Sequence, residues 1–304
     1  MQALQSQRML RGHSGRVSTR VGVRVSAAPA VATKSVTAKM AELKAKGKVA
    51  FIPFLVAGDP DLDTTALAMQ KLDAIGADVI ELGVPYSDPL ADGPVIQGAA
   101  TRALEGGITL DKIIALVAKV SPTIKAPIVM FTYYNPIMRR GMDTFMKQIK
   151  AAGASEIKAA GVSALLVPDI PLEETVDVRA VANTHGIELV LLATPTTPKE
   201  RMVRIAEATQ GFVYLVGVTG VTGVRATMGS RVEGLVSTLH SVTDKPICVG
   251  FGVSQPEHAA QIAAWGAEGV ICGSALVRAL GESGSPAEGL KEMEKIAVSL
   301  RAAC

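Results

Sequence analysis

Apolar and polar positions along this chain follow two rhythms. Short aliphatic and β-branched runs recur at Val49–Val56, Asp78–Val84, Pro127–Tyr133, Ala164–Ile170, Glu188–Ala193, Phe212–Val218, Pro246–Phe251 and Gly269–Gly273. Each closes in turn residues and gives way to a longer stretch whose apolar positions repeat with helical spacing, as at Leu62–Ile75, Leu110–Val120, Lys199–Ala208, Arg231–Val242 and Pro256–Trp265. Strands that alternate with helices pair in parallel through right-handed crossovers, and strands that are apolar at nearly every position are buried on both faces. Eight such units in about 265 residues predict an α/β fold, a closed (β/α)8 TIM barrel forming a single domain over residues 39–304, better than an open doubly wound sheet. The turn after the first run reads Ala57-Gly58-Asp59-Pro60 and not G-x-G-x-x-G, which disfavours a dinucleotide fold.

One stretch departs from the rhythm. Residues 149–155 read IKAAGAS and residues 157–163 read IKAAGVS, a near-duplication offset by eight. Eight residues inside a helix would turn its apolar face by about 80°. The helix is therefore expected to end at the first glycine, with the second copy forming an outer turn or bulged loop ahead of the run at Ala164.

Charge adds a segment that the periodicity does not cover. The first 40 residues hold Arg8, Arg11, Arg16, Arg20, Arg24, Lys34, Lys39 and five serines, and no acid precedes Glu42. The remaining 24 basic residues face 28 acidic ones, so the net charge of +3 gives no ground for nucleic-acid binding. An Arg- and Ser-rich, acid-free leader without a continuous apolar core has the make-up of an organelle transit peptide and not of a secretory signal. Residues 1–38 are expected to be such a segment, disordered, with Val23–Ala30 resembling a plastid processing region and the cut between about residues 25 and 38. The localisation this implies is the chloroplast stroma. No apolar run reaches the ~18 residues of a membrane span, so no membrane role is expected. Cys248 and Cys272 sit within apolar runs and, with Cys304, have no metal-ligand or redox spacing; buried free thiols are expected.

In a barrel of this kind the chemistry lies at the C-terminal ends of the strands. The stretch ELGVPYSDPLADGPVIQ (81–97) leaves the second run at that end and carries Glu81, Asp88 and Asp92, with Asp59 beyond the first run. Glu81, between Ile80 and Leu82, suits an acid/base whose apolar surroundings keep its proton near neutrality. Asp92, between Ala91 and Gly93 in a loop, suits a carboxylate that stays ionised. The stretch holds no cation, which would pull the pKa of Glu81 down. Asp88 before Pro89 reads as a turn residue. No histidine joins these acids and their spacing matches no ligand set, so no metal is expected. Gly250-Phe251-Gly252 and Gly273-Ser274 follow the seventh and eighth runs, where backbone N–H groups and a helix N-terminus suit a phosphate. Gly217–Arg225, with three glycines and two threonines, suits a mobile lid.

Together with PFLVAGDP (53–60), VPDIPLEE (167–174), GVTGVTG (217–223), GFG (250–252) and CGSALV (272–277), the 81–97 stretch resembles the tryptophan synthase alpha chain family from about residue 42 to the C-terminus. The resemblance implies a carbon–carbon lyase of the aldolase type, which cleaves indole-3-glycerol phosphate to indole and glyceraldehyde 3-phosphate in tryptophan biosynthesis. Glu81 then matches the general acid/base and Asp92 the acid that accepts the indole N–H. Thr222 matches the lid residue, and Gly223, Gly252, Gly273 and Ser274 match phosphate-binding positions. Phe54, Tyr133, Tyr214 and Phe251 match the pocket lining. The resemblance also implies a beta-chain partner in an α2β2 complex, with pyridoxal phosphate held by that partner and no cofactor in this chain. The loop after the second run and Asn135-Pro136 correspond to the contact surface. A free-standing lyase that releases indole, and a non-catalytic subunit that binds ligand and regulates a partner, are the alternative readings.

Overall fold

The structure, a computed structural model, describes residues 34–152, 161–217, 225–250 and 252–304, and for 225–230 the backbone alone. In chain order the elements are α1 (Val36–Ala45), β1 (Ala50–Val56), α2 (Leu62–Ile75), β2 (Ile80–Gly83), α3 (Pro94–Glu105), α4 (Leu110–Val120), β3 (Ile128–Phe131), α5 (Tyr134–Arg140) and α6 (Met142–Ala151). They continue with β4 (Ala164–Leu166), a short 3₁₀ turn (Leu172–Glu174), α7 (Thr175–Thr184), β5 (Glu188–Ala193), α8 (Lys199–Ala208), β6 (Val213–Val216) and α9 (Arg225–His240). The chain ends with β7 (Ile247–Gly250), α10 (Pro256–Ala264), β8 (Gly269–Cys272), α11 (Ser274–Gly281) and α12 (Pro286–Ala302). The strands close in sequence order, β8 returning to β1, and every pairing is parallel. This is the predicted (β/α)8 barrel.

The bounds of α2, α4 and α8 agree with the periodicity, and polar caps fix two of their starts. Asp61 accepts from the Thr64 N–H and Thr109 from the Lys112 N–H, satisfying donors that the first turn leaves open. β5 has the bounds of its apolar run, and the other strands are shorter than theirs. The run from Ala164, for instance, pairs only to Leu166, two residues before Pro168, which has no N–H to donate. Pro53, inside β1, sits at the last pair of the β1–β8 register, one residue before the β1–β2 register opens at Phe54–Glu81. Its missing donor thus falls where β1 changes partner.

Two apolar layers follow from strand alternation. Side chains such as Leu55, Leu82, Leu189 and Val249 face outward and pack under the helices. Ile52, Phe54, Val129, Leu166, Val190 and Ile271 face the lumen. Val36, Met40 and Leu43 of α1 join the inner layer and close the barrel at the N-terminal ends of the strands, which leaves the opposite end open for a site.

The near-duplication enters as expected at its first copy. α6 ends at Ala151, just ahead of the first glycine, and residues 153–160 lie outside the described residues. The Val162 N–H donates to Ile149 O at 3.0 Å, which ties the start of the β4 approach back to α6. Among the described residues no helix is long and apolar enough to cross a membrane.

Candidate active site

Glu81 lies in the middle of β2, opposite Phe54 of β1 and Val129 of β3. It points into the lumen with 2% of its surface exposed, and among the described residues neither carboxylate oxygen has a hydrogen-bond partner. Burial, and then the negative charge of Asp92, push its carboxyl up from 4.5 to about 8. A carboxyl without donors in an apolar lumen keeps its proton near neutrality; its apolar neighbours are Phe54 and Val129 on the adjoining strands, whereas its flanks Ile80 and Leu82 belong to the outward layer.

Asp92 approaches from above on the loop that leaves β2. The loop is a compact turn: the Asp92 N–H donates to Pro89 O at 3.0 Å, and Gln97 Nε2 at the start of α3 donates to Asp92 O at 2.8 Å. The Tyr133 hydroxyl donates to Asp92 Oδ2 at 3.0 Å and accepts the Ala91 N–H at 3.0 Å, clamping the loop to the end of β3. Asp92 is half-buried, not freely solvated, and burial raises its carboxyl to about 6 against the lowering pull of the Tyr133 hydroxyl. The contrast with Glu81 is therefore smaller than the sequence suggested, yet the order holds: near pH 7 Asp92 is largely ionised and Glu81 largely protonated.

Asp92 opens on a cavity of about 550 Å³ at the C-terminal end of the barrel, which Phe54, Tyr214, Gly252, Gly273 and Ser274 also line; Glu81 and Tyr133 are not among its lining residues. Phe54 meets Phe131 edge-on, with centroids 5.7 Å apart. Tyr214 crosses the lumen so closely that a Cβ on Gly250 would lie 2.7 Å from its hydroxyl. Its hydroxyl titrates well above the usual tyrosine range, because it is buried and faces the charges of Glu81 and Asp92. Gly273 opens α11 without a side-chain cap, so the first N–H groups of α11 and their partial positive charge stand at the cavity wall.

Several expectations change. Tyr133 stands behind Asp92, 2% exposed and away from the cavity wall, where it stacks on Tyr86 with centroids 4.9 Å apart; it positions the acid and does not line the pocket. Asp59 leaves the acidic set altogether. It is 2% exposed and holds Arg102 of α3 by two hydrogen bonds of 2.8 Å, Nε to Oδ1 and Nη2 to Oδ2. Asp88 is exposed in a turn, its carbonyl accepting the Leu90 N–H at 2.9 Å. Thr222, Gly223 and Phe251, and with them most of the expected lid, lie outside the described residues. The sequence singled out none of Ile96, Phe131, Leu192, Thr194, Val216 and Ile271, which also line the cavity. For Phe131, Leu192, Val216 and Ile271 the one signal is inward parity at a strand end, hidden because both faces of these strands are apolar; Ile96 comes from α3 and Thr194 from the loop after β5. Among the described residues no cluster of His, Cys, Asp and Glu has the arrangement of a metal site.

A groove of about 570 Å³ lies outside the rim, lined by Tyr86, Leu104, Asn135, Pro136 and Arg139 among others. Asn135 Nδ2 donates to the Tyr86 hydroxyl at 3.2 Å across it. The loop after β2 thus has one face on the cavity and one on this groove.

The family described as tryptophan synthase alpha chain matches residues 40–303, the whole barrel. The chain belongs to the tryptophan synthase alpha chain family. A tryptophan synthase alpha chain of Arabidopsis thaliana is 55% identical over 271 residues, covering 89% of this chain and 96% of that relative. The tryptophan synthase subunit alpha of Legionella pneumophila has the same fold, with a TM-score of 0.79, 33% identity and coverage of 90% of this chain and 98% of that one. A Pyrococcus furiosus chain solved in a study of mutual activation in the tryptophan synthase α2β2 complex aligns with a TM-score of 0.76 and 39% identity over 83% of this chain and 98% of that one. Membership in the tryptophan synthase alpha chain family makes this chain a lyase-type enzyme of tryptophan biosynthesis.

Proposed function

We propose that the cavity cleaves the carbon–carbon bond of indole-3-glycerol phosphate, giving indole and glyceraldehyde 3-phosphate. The observation that carries this reading is the unpaired, buried carboxyl of Glu81 in the barrel lumen, facing the charge of the Tyr133-held carboxylate of Asp92 that lines the cavity. Retro-aldol cleavage here needs a proton on indole C3, a place for the positive charge that then develops at the ring nitrogen, and removal of the proton from the hydroxyl that becomes the aldehyde. Glu81, protonated, delivers the first and as a carboxylate takes the last, returning to its starting state. Asp92 accepts the indole N–H and stabilises the charge. Each role is worth about 10² to 10⁴ in rate.

The phosphate would sit on the backbone N–H groups of Gly252, Gly273 and Ser274 at the start of α11, with Gly223 completing it and Thr222 closing over Asp92. Phe54, Tyr214 and Phe251 would flank the indole and glycerol. Acid–base chemistry accounts for every proton, so the reaction calls on no cofactor of this chain's own. The groove at Tyr86, Asn135 and Pro136 would receive a tryptophan synthase beta chain carrying pyridoxal phosphate, and the pair would assemble as α2β2. The basic, acid-free leader would direct the chain to the chloroplast.

Steady-state cleavage by the purified chain, alone and with a beta chain, tests this reading. Cleavage that rises strongly with the beta chain is expected, as is a Glu81→Gln variant that binds substrate without cleaving it. Full activity alone would instead mark an autonomous lyase. An active Glu81→Gln variant would remove the mechanism.

A further inference from the structure

Asp59 and Arg102 tie together the two helices that bring opposite sides of the cavity into place. In the barrel β1 lies between β8 and β2. α11 follows β8 and opens at Ser274, while α3 follows the Asp92 loop and opens at Pro94. Both starts meet the cavity, through Gly273 and Ser274 on one side and Asp92, Gly93 and Ile96 on the other. Asp59, on the loop after β1, is buried and takes two hydrogen bonds of 2.8 Å from Arg102 of α3. The pair lies directly against α11. A Cβ added to Gly281, the last residue of that helix, would overlap Asp59 Oδ2 and lie 2.6 Å from Arg102 Nη2. The Asp59 hydrogen bonds hold the Arg102 guanidinium above its ordinary range, and the charge of Glu282, directly after α11, adds to this. The loop itself is fixed, because Thr65 Oγ1 accepts the Gly58 N–H at 3.0 Å and donates to Asp61 O at 2.8 Å.

This contact sits about two turns along both α3 and α11 from their starts. Apolar side chains of similar volume would bind the helices as firmly as an ion pair does. Their attraction has no direction, however, and packed helices could slide. The guanidinium fork meets the carboxylate by two parallel bonds, which fix direction as well as distance. Gly281 sets the remaining coordinate, since any side chain there would push α11 off the pair. A substrate with its phosphate at α11 and its indole N–H at Asp92 has to span the spacing that this contact fixes.

Resting on the cleavage reading above, we propose that Asp59, Arg102 and Gly281 form a positioning node that sets the distance between Asp92 and the phosphate site at the start of α11. None of the three touches the reacting atoms; they act through the helices they join.

The full chain and its Arg102→Lys and Gly281→Ala variants are assayed for cleavage of indole-3-glycerol phosphate, at a temperature where circular dichroism shows each to be folded. Arg102→Lys keeps the charge and loses the fork, and Gly281→Ala keeps the pair and displaces the helix. Inorganic phosphate, which engages the α11 end alone, serves as a competitive inhibitor of each. Both variants are expected to lose about ten- to a hundredfold in kcat/KM, as a misplacement of ~1 Å does, while the inhibition constant for inorganic phosphate stays at its wild-type value. A purely structural pair would lower the melting temperature and leave kcat/KM of the folded chain unchanged; that result in either variant overturns the proposal and leaves the cleavage reading standing. Phosphate inhibition that weakens along with cleavage would mean a site loosened as a whole, and it overturns the proposal too. A wild-type chain that does not cleave overturns both readings.

Discussion

Glu81 and Asp92 form a pair whose titrations are set apart by their surroundings, and the separation has kinetic and thermodynamic signatures. Asp92 at about 6 and Glu81 at about 8 set the two limbs, so kcat/KM is expected to be bell-shaped with limbs near those values, which belong to the pair. Tyr133→Phe removes the donor that holds Asp92 down. The acid limb is expected to move upward, with kcat/KM falling about tenfold; an unmoved limb would contradict the positioning role. Stability carries the same sign in another form. The folded chain holds the Glu81 proton more tightly than the unfolded chain does. That stability is complete below about 4.5 and is lost as pH rises through about 8. Glu81→Gln does not titrate, so its stability relative to wild type is expected to improve steadily between pH 5 and 8.5, read as denaturant midpoints at each pH. A constant difference would mean that Glu81 is not held protonated. The sequence drew attention to Glu81 as an acid closing an apolar run, but its flanks Ile80 and Leu82 turn outward, and the apolar surroundings of its carboxyl come from neighbouring strands. The half-buried state of Asp92 was not legible, because the clamp comes from Tyr133, far along the chain.

At the scale of elements, the Asp59–Arg102 pair joins the loop after β1 to α3, the helix that begins directly behind the Asp92 loop. Asp59 is buried while Arg102 keeps about a third of its side chain in water. Arg102→Met is therefore expected to cost about 2–3 kcal/mol, below the full price of orphaning a buried charge, measured as a shift in urea midpoint without a change in slope. Nothing in the sequence pairs these two residues, which is why Asp59 read as part of the acidic set. Helices such as α2, α4 and α8 were legible to the residue because their polar faces and caps show in the pattern. Strand ends and the lumen-facing set were not, because in a closed parallel barrel both faces are apolar and periodicity stops discriminating. Leu192 went unnoticed for that reason.

For the molecule as a whole, the closed barrel shields Cys248 and Cys272, while Cys304 at the end of the chain is only partly buried. Burial pushes Cys272 up to about 12 and Cys304 up to about 11, and Cys248 lies in the lumen with its thiol well above the usual range. Cys248 and Cys272 are not expected to react with a disulfide reagent within minutes at pH 7.5, and both are expected to react on unfolding; prompt native labelling of either would show that the layers around β7 and β8 open. The attachment of α1 has a further consequence, one of order in time. Its partners lie far along the chain: Ser35 bonds Glu188 across 153 positions, and Lys44 bonds Asp244 O across 200. The helix emerges first from synthesis, yet its grip forms in steps: Lys34 reaches Ile124 ahead of β3, Ser35 and Thr37 wait for Glu188 of β5, and Lys44 waits for Asp244. Docking of α1 is thus completed late, so a chain interrupted before β5 would hold Val36, Met40 and Leu43 without the Glu188 anchor, and that apolar face would be open to chaperones and proteases.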